Sequence, residues 1–263
     1  MVVYNTVFSD INIDYLRKNG LGAEILQYSD PVFLDDFNNN HPKITQYMQG
    51  MSGVSMHGAY YDLFYTSKDP LIREVAEKRF LQCIQAAVFH SIDRIVFHSS
   101  YRNAFDGFSK ATIDNFLKRS AEFWFQFEKC IPEDITIYLE NVDDDDPEVF
   151  VQIIERIGSN KISCCLDVGH VHCSSAVPVD RWVDVLGSHI GHVHLHDNNG
   201  ESDQHLPLGK GSIPLLDTIN AILKRAGKDI PFVLECDASE SVEWLKNSGF
   251  ELSYTPIDNL LLS

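Results

Sequence analysis

Between residues 191 and 211 the chain reads GHVHLHDNNGESDQHLPLGKG, with four histidines and three acidic residues in one strand and the loop after it. Neutral imidazole and carboxylate are the ligands that Zn²⁺ and Mn²⁺ favour, so this density points to metal chemistry. His192, His194 and His196 alternate with apolar residues, and on a strand that alternation sends all three to one face. Asp203 and His205 follow in a glycine-punctuated loop. Either His194 or His196 can serve as the strand's ligand, because a two-residue register shift exchanges them. His192 lies deeper and reads as a hydrogen-bonded interior histidine. His41, His90, His172 and His189 read as loop or surface residues.

Such residues act only where a fold brings them together. Short β-branched or apolar runs at 2–7, 23–28, 53–57, 94–98, 136–141, 162–167, 190–196 and 231–235 read as strands. Amphipathic stretches at 71–89, 113–129, 148–157, 179–186 and 215–225 lie between them, and a short helix over 241–246 follows the last strand. Strand–helix alternation implies a parallel sheet, and eight such units predict a single (β/α)8 TIM barrel, a fold of about 250 residues. A doubly wound open sheet is the rival, but no GxGxxG loop supports it. The chain reads as one domain over 1–263, with 251–263 a C-terminal arm packed on the barrel or on a neighbouring copy.

Active sites of such barrels lie at the C-terminal ends of the strands. Here the third strand ends in His57, the fourth in His98, the fifth in Glu140 and the sixth in Asp167, with His170 just beyond. The seventh carries His194, followed by Asp203 and His205, and the eighth ends in Glu235. The chain has 38 Asp and Glu and 11 His in 263 residues, so six consecutive strands ending on one of them exceeds what composition supplies. A carboxylate such as Glu140 at the end of an apolar strand needs a partner. His57 and His98, each taken singly, read equally well as core histidines. Tyr60, Tyr61, Phe64 and Tyr101 are candidate substrate walls, and Glu24 is a candidate sugar-contacting or ligand-supporting carboxylate. Lys210, between two glycines, is the candidate contact for a phosphate or carboxylate.

The formal net charge of −17 argues against a nucleic-acid partner, which is met by a basic stripe. The six cysteines form no CxxC pair and read as reduced, small apolar residues. The start, MVVYNTVFSD, lacks the basic and apolar regions of a signal peptide, and no apolar run reaches membrane-spanning length. A soluble cytoplasmic protein is expected, with no membrane partner and homo-oligomerisation left open.

The segments HGAYYDL, IVFHSS, YLENV, CLDVGH, HVHLHDNNGESDQHLPLGKGSI and FVLEC resemble the xylose-isomerase-like barrel superfamily over about residues 53–235. That group holds sugar and sugar-phosphate isomerases and epimerases, and the endonuclease IV type of abasic-site nuclease. In the isomerase branch the resemblance implies one divalent ion, Mn²⁺, Mg²⁺ or Co²⁺, held by Glu140, Asp167, His194 and Glu235. In the nuclease branch it implies two flanking zinc ions as well. His57 and His98 would share Glu140 with the centre for one, and His170, Asp203 and His205 would hold the other. One to three ions per chain are therefore expected.

The departures from that resemblance bear on substrate. The nuclease pattern has an arginine between Asp203 and His205, where this chain has Gln204. It also has a small glycine-containing loop near DNA where Asp143, Asp144, Asp145 and Asp146 stand; four acids there would repel a phosphate backbone, or form a solvated helix start. The ketose 3-epimerase pattern has a glutamate at the position of Asp146 and an arginine at that of Gly200. The expected chemistry is isomerisation or epimerisation of a small sugar or sugar phosphate. A metal would chelate a carbonyl and adjacent hydroxyl and stabilise an enediolate, while Glu140 and Glu235 move the proton and His170 orients a hydroxyl. The alternative is a multinuclear zinc phosphoesterase on the same ligands. A non-catalytic metal- or sugar-binding barrel and a glycosidase using Glu140 and Glu235 are weaker readings, the last leaving the histidines unexplained.

Overall fold

The structure is a computed structural model that describes residues 1–7, 10–227 and 229–253. The chain begins with β1 (Val2–Val7), α1 (Ile13–Lys18), β2 (Gly22–Ile25), α2 (Pro31–Asp35), α3 (Phe37–Met48) and β3 (Val54–His57). It continues through α4 (Pro70–His90), β4 (Arg94–His98), α5 (Asn103–Asp106), α6 (Lys110–Phe127), β5 (Thr136–Glu140) and α7 (Pro147–Ile157). Then come β6 (Ile162–Asp167), α8 (Val168–Ser174), α9 (Val179–Leu186), β7 (Ile190–Leu195), α10 (Leu215–Ala226), β8 (Pro231–Leu234) and α11 (Ala238–Asn247). The eight strands are parallel and close in sequence order, with β1 paired to both β2 and β8, so the fold is a single (β/α)8 barrel.

Alternation along each strand divides the side chains between two cores. Outward residues pack on the helices, as where Phe97 of β4 stacks on Phe80 of α4 at 4.0 Å and Trp124 of α6 lies beyond. The inner core is small: Val96, Tyr138 and Cys165 form a separate apolar cluster below the mouth. At the base, Tyr4 lies so close to β2 and β3 that a Cβ on Gly22 would sit 2.0 Å from its ring and one on Gly53 2.0 Å from its hydroxyl.

Aspartates start several helices. Asp30, Asp69 and Asp146 each accept a backbone N–H from the residue after a proline at the first helical position, a pairing that presets φ and satisfies an orphan donor. The second strand ends at Ile25 rather than residue 28, because residues 27–29 turn into a 3-10 segment leading to the Asp30 cap. Of the C-terminal arm, residues 254–263 lie outside the described residues. Ser253 bridges to Val2, and its N–H donates to the Met1 carbonyl at 2.9 Å. Among the described residues no helix is long and apolar enough to cross a membrane, and all six cysteines are free.

Candidate metal centre

Glu140, Asp167, His194 and Glu235 leave the ends of β5, β6, β7 and β8 toward one point, with a ligand atom of each within 4.8 Å of the others. Strand register explains the convergence: Asp167 lies opposite His194, and Glu140 opposite Cys165, one inward position below Asp167. His194 Nδ1 faces Glu140 Oε1 at 3.1 Å and Glu235 Oε1 at 3.5 Å. Its Nε2 lies 3.0 Å from Glu24 Oε1. Glu24 is fully buried and also accepts from Ser55 Oγ at 2.8 Å and His192 Nε2 at 2.9 Å. A carboxylate behind an imidazole fixes which nitrogen offers its lone pair forward. Asp167 Oδ1 accepts the His170 N–H at 2.7 Å and caps α8. Asn141 braces it by accepting its N–H and donating to its carbonyl.

Two further sets flank this centre. His57 Nε2 donates to Glu140 Oε2 at 3.1 Å, His98 Nε2 lies 3.5 Å from the same oxygen, and the three form one ligand cluster. On the other side His170, His196, Asp203 and His205 form another. The loop bearing Asp203 and His205 is anchored by buried Asp197, which accepts the N–H groups of Asn198, Gly209, Gly211 and Ile213.

The electrostatics fit a cation. Burial lifts the Glu140 carboxyl, but the His194 and His57 imidazoles outweigh it and hold Glu140 well below the usual carboxylate range. Glu235 moves the other way: burial raises it, and the charges of Glu140 and Asp167 add to that against His194. Burial opposes protonation of His205, yet Asp203 carries its pKa up to about 9. His98, where burial outweighs Glu140, falls to about 3. Asp167 Oδ2 is buried without a hydrogen-bond partner. Against burial, neighbouring carboxylates likewise raise His57, His170 and His194, and protons on these and on His205 occupy the lone pairs that a divalent ion would use, so the residues present fit such an ion.

The remaining expectations fare differently. Tyr60 does reach the cluster, stacking on His98 at 4.6 Å and meeting His57 edge-on at 5.0 Å. Tyr101 does not form a substrate wall: it is buried and packs edge-on against Phe116 of α6. Glu24 cannot touch a sugar, since it has no exposed surface and lies behind His194. Lys210 is exposed and joined to Glu240 at 3.1 Å rather than to the ligand cluster. The aspartate run is not simply a solvated face. Asp146 caps α7, but Asp144 is buried and accepts from Ser99 Oγ at 2.7 Å. His90 is not a surface residue either, for it is buried with the Tyr28 hydroxyl 2.7 Å from its Nε2. His196 and His194 both face inward at successive levels, so the register question has no single winner. Asn141 and Gly169 shape the site without having carried a ligand-type signal, and Asp197, an acid of the histidine-rich stretch, does so as a loop anchor.

Residues 28–248 match the family model of the xylose isomerase-like TIM barrel. Two uncharacterised proteins of Methanocaldococcus jannaschii are 35% identical over 106 residues and 37% identical over 98. These stretches cover 38% and 34% of this chain, and 36% and 37% of the relatives. Among solved structures, a Thermus thermophilus protein soaked with zinc chloride aligns with TM-score 0.73 at 22% identity, over 95% of this chain and 98% of that one. A D-tagatose 3-epimerase-like protein gives 0.75 at 23%, over 94% and 97%. An IolI protein with a bound zinc atom gives 0.74 at 14%, over 94% and 96%. At such identities the structural likeness is one of fold. The family match spans most of the length, and the chain belongs to the xylose isomerase-like TIM barrel family.

Proposed function

We propose that this chain is a divalent-metal-dependent isomerase or epimerase of a small sugar or sugar phosphate. The convergence of Glu140, Asp167, His194 and Glu235 at the barrel mouth carries the reading. Three carboxylates with one imidazole suit Mn²⁺, Mg²⁺, Co²⁺ or Zn²⁺. An ion held there would polarise a carbonyl and make the neighbouring C–H more acidic. Glu235 is the more reachable acid, with 11% of its side chain exposed against 1% for Glu140. Glu235 takes the proton from the carbon beside the carbonyl, and Glu140, arriving from β5 with His57 Nε2 donating to its Oε2 at 3.1 Å, stands where a proton from that imidazole can be relayed back. Tyr60, stacked on His98, presents an aromatic edge to a sugar at the rim. The names of fold relatives, a D-tagatose 3-epimerase-like protein and a zinc-bound IolI, accord with this reading.

The test is exchange. The metal-loaded protein, incubated in D₂O with ketoses and ketose phosphates, is expected to introduce deuterium at carbon beside the carbonyl. Glu235→Gln is expected to lose about 10²–10⁴-fold of that rate; full activity in this variant sinks the assignment. A second reading, a multinuclear zinc phosphoesterase, is favoured by the two flanking ligand sets. Incision of an abasic-site duplex by the zinc-loaded protein would put it first.

A further inference from the structure

The loop after β4 carries an arginine that the proposed chemistry does not use. Arg102 is the fourth residue beyond the strand, at the C-terminal face of the barrel. Its guanidinium carbon lies 4.5 Å from the ring centroid of Phe64 and 4.9 Å from that of Phe105. Phe64 belongs to the β3–α4 loop, so the arginine is clamped between two loops of the mouth. The same loop holds Tyr60 and Tyr61, with ring centroids 4.4 Å apart, and Tyr60 in turn stacks on His98. One loop thus joins the ring beside the ligand cluster to the ring beside Arg102.

The donors of this arginine are uncommitted. Arg119 donates its Nε to the Thr66 carbonyl at 2.6 Å, and Arg73 donates Nη1 to the Ser67 and Lys68 carbonyls at 2.6 and 3.0 Å. Those two hold the β3–α4 loop in place. Arg102 donates its backbone N–H to Asp106 Oδ2 at 3.2 Å, but among the described residues nothing accepts a hydrogen bond from its guanidinium. Its Nε is buried and 3.8 Å from Asp106 Oδ2, beyond hydrogen-bond reach, while the side chain as a whole keeps 34% of its surface exposed. Two aromatic faces fix the plane of a guanidinium and leave its edge for an oxyanion, which it meets through paired N–H bonds. Orientation fixed beforehand lowers the entropy lost on binding.

The local charge agrees. Buried Asp106 lies within the fields of Arg102, Arg119 and Lys68, so three cations face one carboxylate. Arg119 Nη2 stands 3.4 Å from its Oδ1. This surplus belongs to a chain whose formal net charge is −17. On the next loop Asp145 accepts from Asn103 Nδ2 at 2.8 Å and Asp146 caps α7.

Resting on the reading of the mouth as a metal-dependent isomerase or epimerase site, we infer that Arg102, clamped by Phe64 and Phe105, binds the phosphate of a phosphorylated ketose. A surplus of cations suits a phosphate monoester, which approaches two negative charges, better than a carboxylate with one. The phosphate end then lies across the mouth from the loops after β7 and β8, where barrels of this fold frequently bind one. Lys210, on the β7 side, stays with Glu240.

The metal-loaded full chain tests this in the deuterium-exchange assay with a ketose, its phosphate ester and a ketose bearing a carboxylate. The phosphate ester is expected to give the highest kcat/KM. Arg102→Met keeps an apolar stem between the two rings. It is expected to raise KM for the ester on the order of 100-fold, the loss of two charge-assisted hydrogen bonds, and to leave kcat and the free ketose unchanged. Arg102→Lys keeps the charge without the fork and is expected to recover part of that loss. Phe105→Ala, at an exposed ring, is expected to weaken the ester alone. Equal losses for ester and free ketose would mark a packing role and overturn the inference, as would an Arg102 dependence confined to the carboxylate. Binding is also read without turnover, by ³¹P NMR titration of inorganic phosphate into the chelator-stripped chain. The unaltered chain is expected to bind it and Arg102→Met is not. If both bind alike, the subsite is overturned while the isomerase reading stands. If that Arg102-dependent binding is present but no sugar exchanges deuterium, the isomerase reading fails and the phosphate subsite stands.

Discussion

His194 has a carboxylate on each of its nitrogens, and the two have different work. Glu140 and Glu235 lie before Nδ1, while Glu24 lies behind Nε2. Burial raises the Glu24 carboxyl, but the charges and hydrogen bonds of His194 and His192 outweigh it and keep Glu24 ionised. An ionised Glu24 beside Nε2 favours the tautomer with its proton on that nitrogen and leaves the Nδ1 lone pair for an ion. Glu24→Gln can present an amide N–H instead, which moves the imidazole proton to the forward nitrogen. Metal affinity is expected to fall by about 10–100-fold, as read by competition against a chelator of known strength. An unchanged affinity would remove Glu24 from the support of the centre. The sequence marked Glu24 as either a sugar contact or a support, because strand position alone does not give depth within a barrel.

At the scale of elements, the strands were legible and several helices were not. Runs such as IVFH and CCLD are apolar and β-branched enough to be read directly, and the strands so read put Glu140 and Asp167 at the ends of β5 and β6, with Glu235 one residue past β8. α3 has three consecutive asparagines and an internal proline, Pro42, which mask its helical character. α8 begins VGH and is helical because Asp167 caps it, a role invisible while Asp167 is read only as a ligand. Asp146 illustrates the same point, since it occupies the position of a ketose-epimerase glutamate yet caps α7 by accepting the Glu148 N–H at 2.9 Å. Asp146→Ala is expected to cost about 1 kcal/mol in urea unfolding and to leave metal stoichiometry unchanged. A loss of bound metal in that variant would give Asp146 a place in the site.

At the scale of the molecule, Asp144 is a buried part of the excess of acid and has a measurable signature. Burial pushes the Asp144 carboxyl up to about 7, against the hydrogen bonds from Ser99 and the Val142 N–H. An unfolded aspartate titrates near 3.9, so between roughly pH 4 and 7 the folded chain holds a proton that the unfolded chain has lost. Asp144's contribution to stability is then full below pH 4, falls as pH rises, and is lost above about 7. Asp144→Asn is expected to remove that slope and to be the more stable form at pH 8, by on the order of 3 kcal/mol. Urea melts of both chains at pH 4.5 and 8 measure it; parallel pH profiles would contradict the assignment.

Periodicity and strand-end chemistry in the sequence determined the barrel and gathered Asp, Glu and His at its mouth, while the family came from the resemblance of whole motifs. These follow from local pattern, because alternation decides which side chains face inward and parallel strands align their ends. Depth, pairing and room were decided only by tertiary structure. It buried Glu24 and Tyr101, tied Lys210 to Glu240, and admitted His196 beside Gly169. Those outcomes depend on how eight strands stagger and on which neighbour reaches a side chain first, and neither is written in any one segment.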